Sequence, residues 1–316
     1  MVQLADIALA RYRLAPYLQP TPIEAAPDLG DNIWLKLENT NKTHSFKIRG
    51  ALNAMLNLSE DARKRGILAA SSGNHAQGIA CAAWLLGARA RILMPTHTPK
   101  RKVNGVRRWG AEAVLFGATY DDAEAEARRL ERDEGNPFVS PYNDPFVVAG
   151  AGTTGMEIVE ALPTVERVLV PASGGGLISG VAVALKSLRP AAEVIAVCAE
   201  SAPAPYNWLH NTQLPQVWDT LAEALSGEIE RGSITFDLMK RYVDRAVLVS
   251  EQAIAKSMRW MADIQGWMIE GGGAVGIAAL QTEAVPIDGK HTVIIVSGGN
   301  VDGETLRKVL IPDPAL

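Results

Sequence analysis

From Ile67 to Val296 short apolar runs alternate with helical stretches, and the turns between them are rich in glycine, serine and asparagine. Ile67 to Ala70 is apolar and turns through Ser71-Ser72-Gly73-Asn74-His75 into a small-residue helix over Ala76 to Leu86. Ala90 to Met94 predicts a strand, Thr98-Pro99 opens a basic helix to Trp109, and Glu112 to Phe116 predicts another strand. Asp121 to Glu134 predicts a charged helix, acids first and arginines after, which reads as a solvated face. The rhythm continues with a helix over Gly152 to Ala161, strand Arg167 to Val170, helix Ile178 to Leu188 and strand Glu193 to Val197. It closes with strand Ala246 to Val249, helix Glu251 to Gln265, a glycine turn at Gly271-Gly272-Gly273, a helix through Leu280 and strand Thr292 to Val296. Strand and helix alternating at this spacing demand a parallel sheet covered by helices on both sides. Upstream, Asp6 to Tyr17 predicts an amphipathic helix, Gln19-Pro20-Thr21-Pro22 an extended breaker and Ile33 to Leu37 a brief strand. Ser201 to Gly232 lacks clear periodicity, the mark of a lid, an interface or a functional loop.

The chain's 316 residues suffice for one large or two moderate domains, and a net charge of −4 gives no electrostatic case for nucleic acid or an anionic membrane as partner. Val168 to Leu185 is uncharged, but Pro171, Ser173 and three glycines read as strand, loop and helix rather than a membrane span. No basic-then-apolar pattern opens the chain, so a cytoplasmic protein is expected. Cys81 and Cys198 both lie in apolar runs and predict buried thiols rather than a disulfide or metal site.

Four loops carry chemistry. Lys47 follows Ser45, a residue suited to cap a helix start. A lysine at a helix N-terminus is biased toward its neutral form, the nucleophile for a Schiff base with a carbonyl cofactor. The alternative is a solvated first-turn lysine. Ser173-Gly174-Gly175-Gly176-Leu177, between strand and helix, offers successive amides to a phosphate. A dinucleotide site using Glu200 as the ribose acid competes, although Ser179 stands where that fingerprint wants a third glycine. A purely structural turn competes too. Ser71-Ser72-Gly73-Asn74-His75 is either a ligand-facing turn or an elaborate helix cap. Ser297-Gly298-Gly299-Asn300 follows the last strand, at the carboxyl edge where open α/β sheets bind ligands. Glu270, alone before its glycines, reads as a surface residue. No zinc-like spacing or nucleophile elbow occurs.

In chain order, the lysine loop, the Ser-Ser-Gly-Asn-His turn, the glycine cradle and Ser297-Gly298-Gly299-Asn300 resemble the pyridoxal-phosphate enzymes of the tryptophan-synthase-β fold (fold type II), specifically their threonine/serine dehydratase and serine racemase branch. Ser45-Phe46-Lys47-Ile48-Arg49-Gly50 paired with Ser72-Gly73-Asn74-His75 carries the resemblance, which runs from about Thr21 to Asp302. It implies two three-layer α/β/α domains with mostly parallel sheets, the smaller (66–143) inserted in the larger (1–65 and 144–316). It implies that Lys47 holds pyridoxal 5'-phosphate and then takes the substrate Cα proton. Phe46 would pack near the ring, Asn74 bind its hydroxyl oxygen, and Ser297 face the pyridine nitrogen. The amides of Ser173, Gly174, Gly175, Gly176 and Leu177 would hold the phosphate. Ser71, Ser72 and the backbone of Asn74 and His75 would hold the substrate carboxylate.

The implied activity is an ammonia-lyase, or dehydratase, acting on L-threonine or L-serine to give a 2-oxo acid and ammonia, in a homodimer. Ser72, as a catalytic acid on the cofactor face opposite Lys47, keeps serine racemase open. A dehydratase specialised for hydroxyaspartate or a hydroxyectoine breakdown product is a further alternative, and a non-catalytic relative of the fold another. The family's divalent or monovalent cation site maps onto Glu200 and Ala204, with Tyr206 where the family has an acid. Other departures are His44 where many relatives have glycine, Ala151 for a usual glutamine, and a glycine rather than proline after Glu270.

Overall fold

The computed structural model describes residues 1–311. Among them nine strands divide between two sheets: β1 (Ile23–Ala25), β2 (Ile33–Leu37), β3 (Ile67–Ala70), β4 (Ala90–Met94), β5 (Glu112–Leu115), β6 (Arg167–Pro171), β7 (Glu193–Ala199), β8 (Arg245–Val249) and β9 (Thr292–Val296). The larger sheet has the order β1-β2-β9-β6-β7-β8, the smaller β3-β4-β5. Every pairing is parallel except β1 with β2. Helices cover both sheets; the mostly parallel pairing is what the alternation predicts, and the two α/β units are what the resemblance implies.

The central strands β6 and β9 are buried along their whole length, as parallel strands covered on both faces must be. The side chains of β6, β7 and β9 alternate between two cores. Leu169, Ile195, Val197, Ile294 and Val296 pack with the helices Glu251–Asp263 and Gly271–Gln281. Val168, Val170, Val194, Ala196, Val293 and Ile295 face the helix Gly176–Leu188 on the other side. Val168 to Leu185 is thus strand, loop and helix, and among the described residues no helix is long and apolar enough to cross a membrane. Cys81 and Cys198 are free and buried, and desolvation pushes their thiols up to about 11 and about 12.

Several boundaries differ from the sequence reading for identifiable reasons. Asp144 caps a helix Pro145–Ala161, its Oδ1 accepting from the amides of Phe146 and Val147, so this helix starts ahead of Gly152. Its glycines serve close packing: a Cβ at Gly150 would lie 2.5 Å from Arg49 O. Gly271-Gly272-Gly273 is the first turn of the helix Gly271–Gln281, not a turn outside it. Ser201 to Gly232 contains the short helix Ala204–His210, and the helices Glu60–Arg65, Ile234–Tyr242 and Gly303–Leu310 were not anticipated.

The helix that carries Lys47, Lys47–Asn57, is fixed by a buried charge network. Arg49, 2% exposed, forks onto Glu38 (Nε–Oε2 2.7 Å, Nη2–Oε1 2.8 Å) and onto Glu157 (Nη1–Oε1 2.6 Å, Nη2–Oε2 2.8 Å). Lys36 Nζ donates to Glu157 Oε2 at 2.6 Å and to Thr21 O at 2.7 Å. Two cations thus meet two anions, and the carboxylate lone pairs left over accept from Thr21 and Asn41. Burial works against the Arg49 charge, but Glu38 and Glu157 outweigh it and hold its pKa above the ordinary value. The network ties the lysine helix to β2 and to the helix Pro145–Ala161.

Candidate active site

Lys47 is the first residue of its helix, with Phe46 at the N-cap position. Ser45 does not cap; its Oγ is buried and finds no partner among the described residues. The Lys47 amine lies 5.2 Å from the Phe46 ring centroid and donates to Pro141 O at 2.9 Å. Burial pulls its pKa down to about 8, against a smaller upward pull from Glu270. The helix dipole adds to the same bias, so the neutral share of this amine near neutral pH is far above that of a free lysine.

Backbone bonds stitch the lysine loop to the end of β9. Phe46 N donates to Ser297 O at 3.1 Å, Gly299 N donates to His44 O at 2.8 Å, and Ser45 bridges Gly298. Ser297 is 4% exposed, and its Oγ makes one long contact, 3.4 Å to Gly272 O. His44 has a φ of +55°, the left-handed region. That explains why glycine suits this position and why histidine here carries strain.

The Ser71–His75 turn joins β3 to the helix Asn74–Leu85. This helix crosses the lysine helix at Gly78, where a Cβ would lie 3.1 Å from the Lys47 carbonyl carbon. Ser71 Oγ accepts from Gly73 N at 3.2 Å. Ser72 is half-buried, and its hydroxyl has no partner among the described residues. Asn74 is held from two sides: its Nδ2 donates to Glu270 Oε1 at 2.6 Å, and its Oδ1 accepts from Asn300 Nδ2 at 2.8 Å. His75 Nε2 lies 3.0 Å from Val139 O, which places the proton on Nε2 and leaves Nδ1 a buried lone pair without a partner. Desolvation, and then Lys47, push His75 down to about 3, so it is neutral.

The glycine cradle lies between β6 and the helix Gly176–Leu188. Among the described residues no protein oxygen accepts from the amides of Ser173, Gly174, Gly175, Gly176 or Leu177. Gly175 has a φ of +86°, and a Cβ at Gly174 would collide with the Tyr142 ring. Tyr142 adjoins Pro141, the acceptor of the Lys47 amine, so one short segment connects the lysine to the cradle.

Three residues of this assembly escape sequence reasoning. Glu270 is 8% exposed and not on the surface; desolvation pushes its carboxyl up to about 7, and its bond from Asn74 works the other way. Asn300 bridges Asn74 and Thr43 O, and Tyr142 covers the cradle. Only Glu270 left a signal, in the apolar Trp267-Met268-Ile269 run that precedes it. The residues of the implied cation site follow β7 closely in the chain. Glu200 stands exposed after β7, Ala204 opens the helix Ala204–His210, and the Tyr206 ring stacks 4.3 Å from that of His210. Among the described residues no group of three or more His, Cys, Asp or Glu side chains is placed to hold a metal.

Free amides at a helix start, an amine biased toward neutrality and a buried hydroxyl, all at carboxyl edges of parallel strands, fit a carbonyl cofactor with a phosphate handle. This defines the class. Residues 14–298 match the family model described as pyridoxal-phosphate dependent enzyme. An L-threonine ammonia-lyase of Thermotoga maritima is 42% identical, covering 98% of this chain and 78% of that protein. A catabolic L-threonine dehydratase of Escherichia coli is 38% identical, covering 95% of this chain and 94% of that one. The structure of maize serine racemase superposes with a TM-score of 0.91 at 31% identity, over 97% of this chain and 96% of that one. The chain belongs to the pyridoxal-phosphate-dependent enzymes, in their threonine dehydratase and serine racemase branch.

Proposed function

We propose that this enzyme is an ammonia-lyase that eliminates water from a β-hydroxy amino acid, L-threonine or L-serine; the released enamine takes water back up and yields a 2-oxo acid and ammonia. The observation that carries the reading is the Lys47 amine, its pKa lowered to about 8, set beside the segment that covers the glycine cradle. The threonine ammonia-lyase and dehydratase relatives support the choice of substrate. When bound, pyridoxal phosphate supplies a carbonyl for an amine and a conjugated ring that takes up the electrons left at Cα.

The chain's own residues do the rest. Lys47 holds the cofactor and then, as a neutral amine, takes the Cα proton; a pKa near 8 suits a base that must also give protons back. The amides of Ser173, Gly174, Gly175, Gly176 and Leu177 hold the phosphate. Phe46 packs near the ring, and Asn74, already fixed by Glu270 and Asn300, orients the ring hydroxyl. Ser297 would offer a hydroxyl rather than a carboxylate to the ring nitrogen, a partner that would leave that nitrogen unprotonated and so suit loss of the β-hydroxyl over storage of charge. Ser71, Ser72 and the amides of Asn74 and His75, at the start of the helix Asn74–Leu85, bind the substrate carboxylate. The proposal includes a homodimer in the cytoplasm and a small domain spanning 66–143, which the separate β3-β4-β5 sheet supports.

A 2-oxo acid assay across L- and D-serine, L- and D-threonine and hydroxyaspartate tests the assignment. Cofactor binding without 2-oxo acid from any of them would overturn it. One observation favours a second activity, racemisation: the half-buried Ser72 hydroxyl has no partner among the described residues and is free to exchange a proton. Chiral analysis of serine checks it; a Ser72→Ala variant is expected to eliminate but not racemise.

A further inference from the structure

The helix Ile234–Tyr242 begins against the glycine cradle. Thr235, in its first turn, is fully buried, and its Oγ1 donates to Gly174 O over 2.8 Å. Behind it, Ser233 Oγ lies 2.8 Å from Thr235 Oγ1 and accepts from the Thr235 amide at 3.3 Å. A hydroxyl carries one proton. Thr235 commits its own to Gly174 O, so the Ser233 proton points at Thr235 Oγ1. The relay runs one way, from Ser233 through Thr235 to Gly174.

The peptide between Gly174 and Gly175 is trans and planar, so its C=O and N–H point in opposite directions. Anchoring the carbonyl on Thr235 turns the Gly175 N–H away from the helix Ile234–Tyr242, and no protein oxygen among the described residues takes it up. The fit admits only glycine. Gly175 has a φ of +86°, and a Cβ there would lie 2.8 Å from Thr235 Cβ.

We infer that Thr235 is a positioning residue for the cofactor phosphate. It makes no contact with the phosphate but fixes one peptide plane of the cradle, so that the Gly175 amide is aimed before the anion arrives. A donor oriented in advance does not have to be reoriented on binding, and affinity gains by that difference. The inference rests on reading the cradle as the phosphate site.

Apo-protein titrated in parallel with pyridoxal phosphate and with pyridoxal, which lacks the phosphate, separates the two layers of this reading. Thr235→Val is expected to weaken pyridoxal phosphate binding about tenfold, one hydrogen bond's worth, while leaving pyridoxal binding unchanged. The phosphorus NMR resonance of the bound cofactor should shift as well. Thr235→Ser should restore both wild-type values, and Ser233→Ala should move both in the direction of the valine variant by less. Wild-type affinity and resonance in Thr235→Val would overturn the inference, as would an equal loss for pyridoxal or a serine variant that fails to rescue. Should the valine variant not fold, unchanged values in Ser233→Ala would overturn it. A wild-type protein with no preference for pyridoxal phosphate over pyridoxal would remove the cradle reading itself.

Discussion

Asn74 and Glu270, 196 positions apart, are joined by a 2.6 Å hydrogen bond from the Asn74 amide to the Glu270 carboxylate. The bond ties the Ser71–His75 turn to the start of the helix Gly271–Gln281, and so holds the two sheets' contributions to the site in register. Its cost falls on the carboxylate, which desolvation pushes from 4.5 up to about 7. Between those values the folded protein keeps a proton that the unfolded chain has released. The Glu270 contribution to stability therefore falls as pH rises through that window and is level above it. His75, held down from 6.5 to about 3, contributes the opposite slope below about pH 6.5. The Glu270 slope should therefore appear as the difference between wild type and Glu270→Gln, which keeps an acceptor for Asn74 without the charge, in thermal unfolding of the apo-proteins from pH 4.5 to 8. Glu270→Ala should instead cost about 1–3 kcal/mol, because it strands the Asn74 amide.

His44 holds a φ of +55° that glycine would adopt without strain. Releasing the left-handed strain gains about 1–2 kcal/mol, and the freer unfolded chain takes back about 0.4–1 kcal/mol. His44→Gly should therefore raise the melting temperature, whereas His44→Val should lower it, since a β-branched residue is disfavoured there. Paired thermal melts of the apo-proteins check both signs.

Arg49 neutralises Glu38 and Glu157 at once. Arg49→Ala leaves both carboxylates buried and short of partners, and should cost about 3–5 kcal/mol in urea unfolding. Arg49→Lys should recover little of this, because one ammonium cannot fork onto two carboxylates.

Gly174→Ala drives a Cβ into the Tyr142 ring. Overpacking of this kind costs about 1–3 kcal/mol. Because the strain falls on the cradle, it should appear as about 10- to 100-fold weaker pyridoxal phosphate binding in a fluorescence titration. Adding Tyr142→Ala should recover part of the loss if the effect is steric.

What the sequence revealed follows from how local each signal is. Ala90–Met94 and Thr292–Val296 form strands over the residues expected, because continuous apolar runs between turn residues leave no other reading. Ile23–Ala25 has three residues and exists through antiparallel pairing with β2, so nothing local marks it. Gly150 stands outside the helix expected from Gly152, and 271–273 reads as a turn, yet both are helical because neighbouring backbones approach where a Cβ would stand. The site divides in the same way. Lys47, the Ser71–His75 turn, the cradle and Ser297 were legible because each is a word at a strand or helix end. Glu270, Asn300, Tyr142 and Thr235 act through partners far along the chain, and only the folded structure makes those pairs visible.

The central claim is that Lys47 is the residue that holds the cofactor. Reducing the pyridoxal-phosphate-loaded protein with borohydride, then mapping its peptides by mass spectrometry, reads this directly. The account predicts a single pyridoxyl group, on the peptide containing Lys47, and none in Lys47→Ala; a stoichiometric label on any other lysine, such as Lys36 or Lys102, would contradict it.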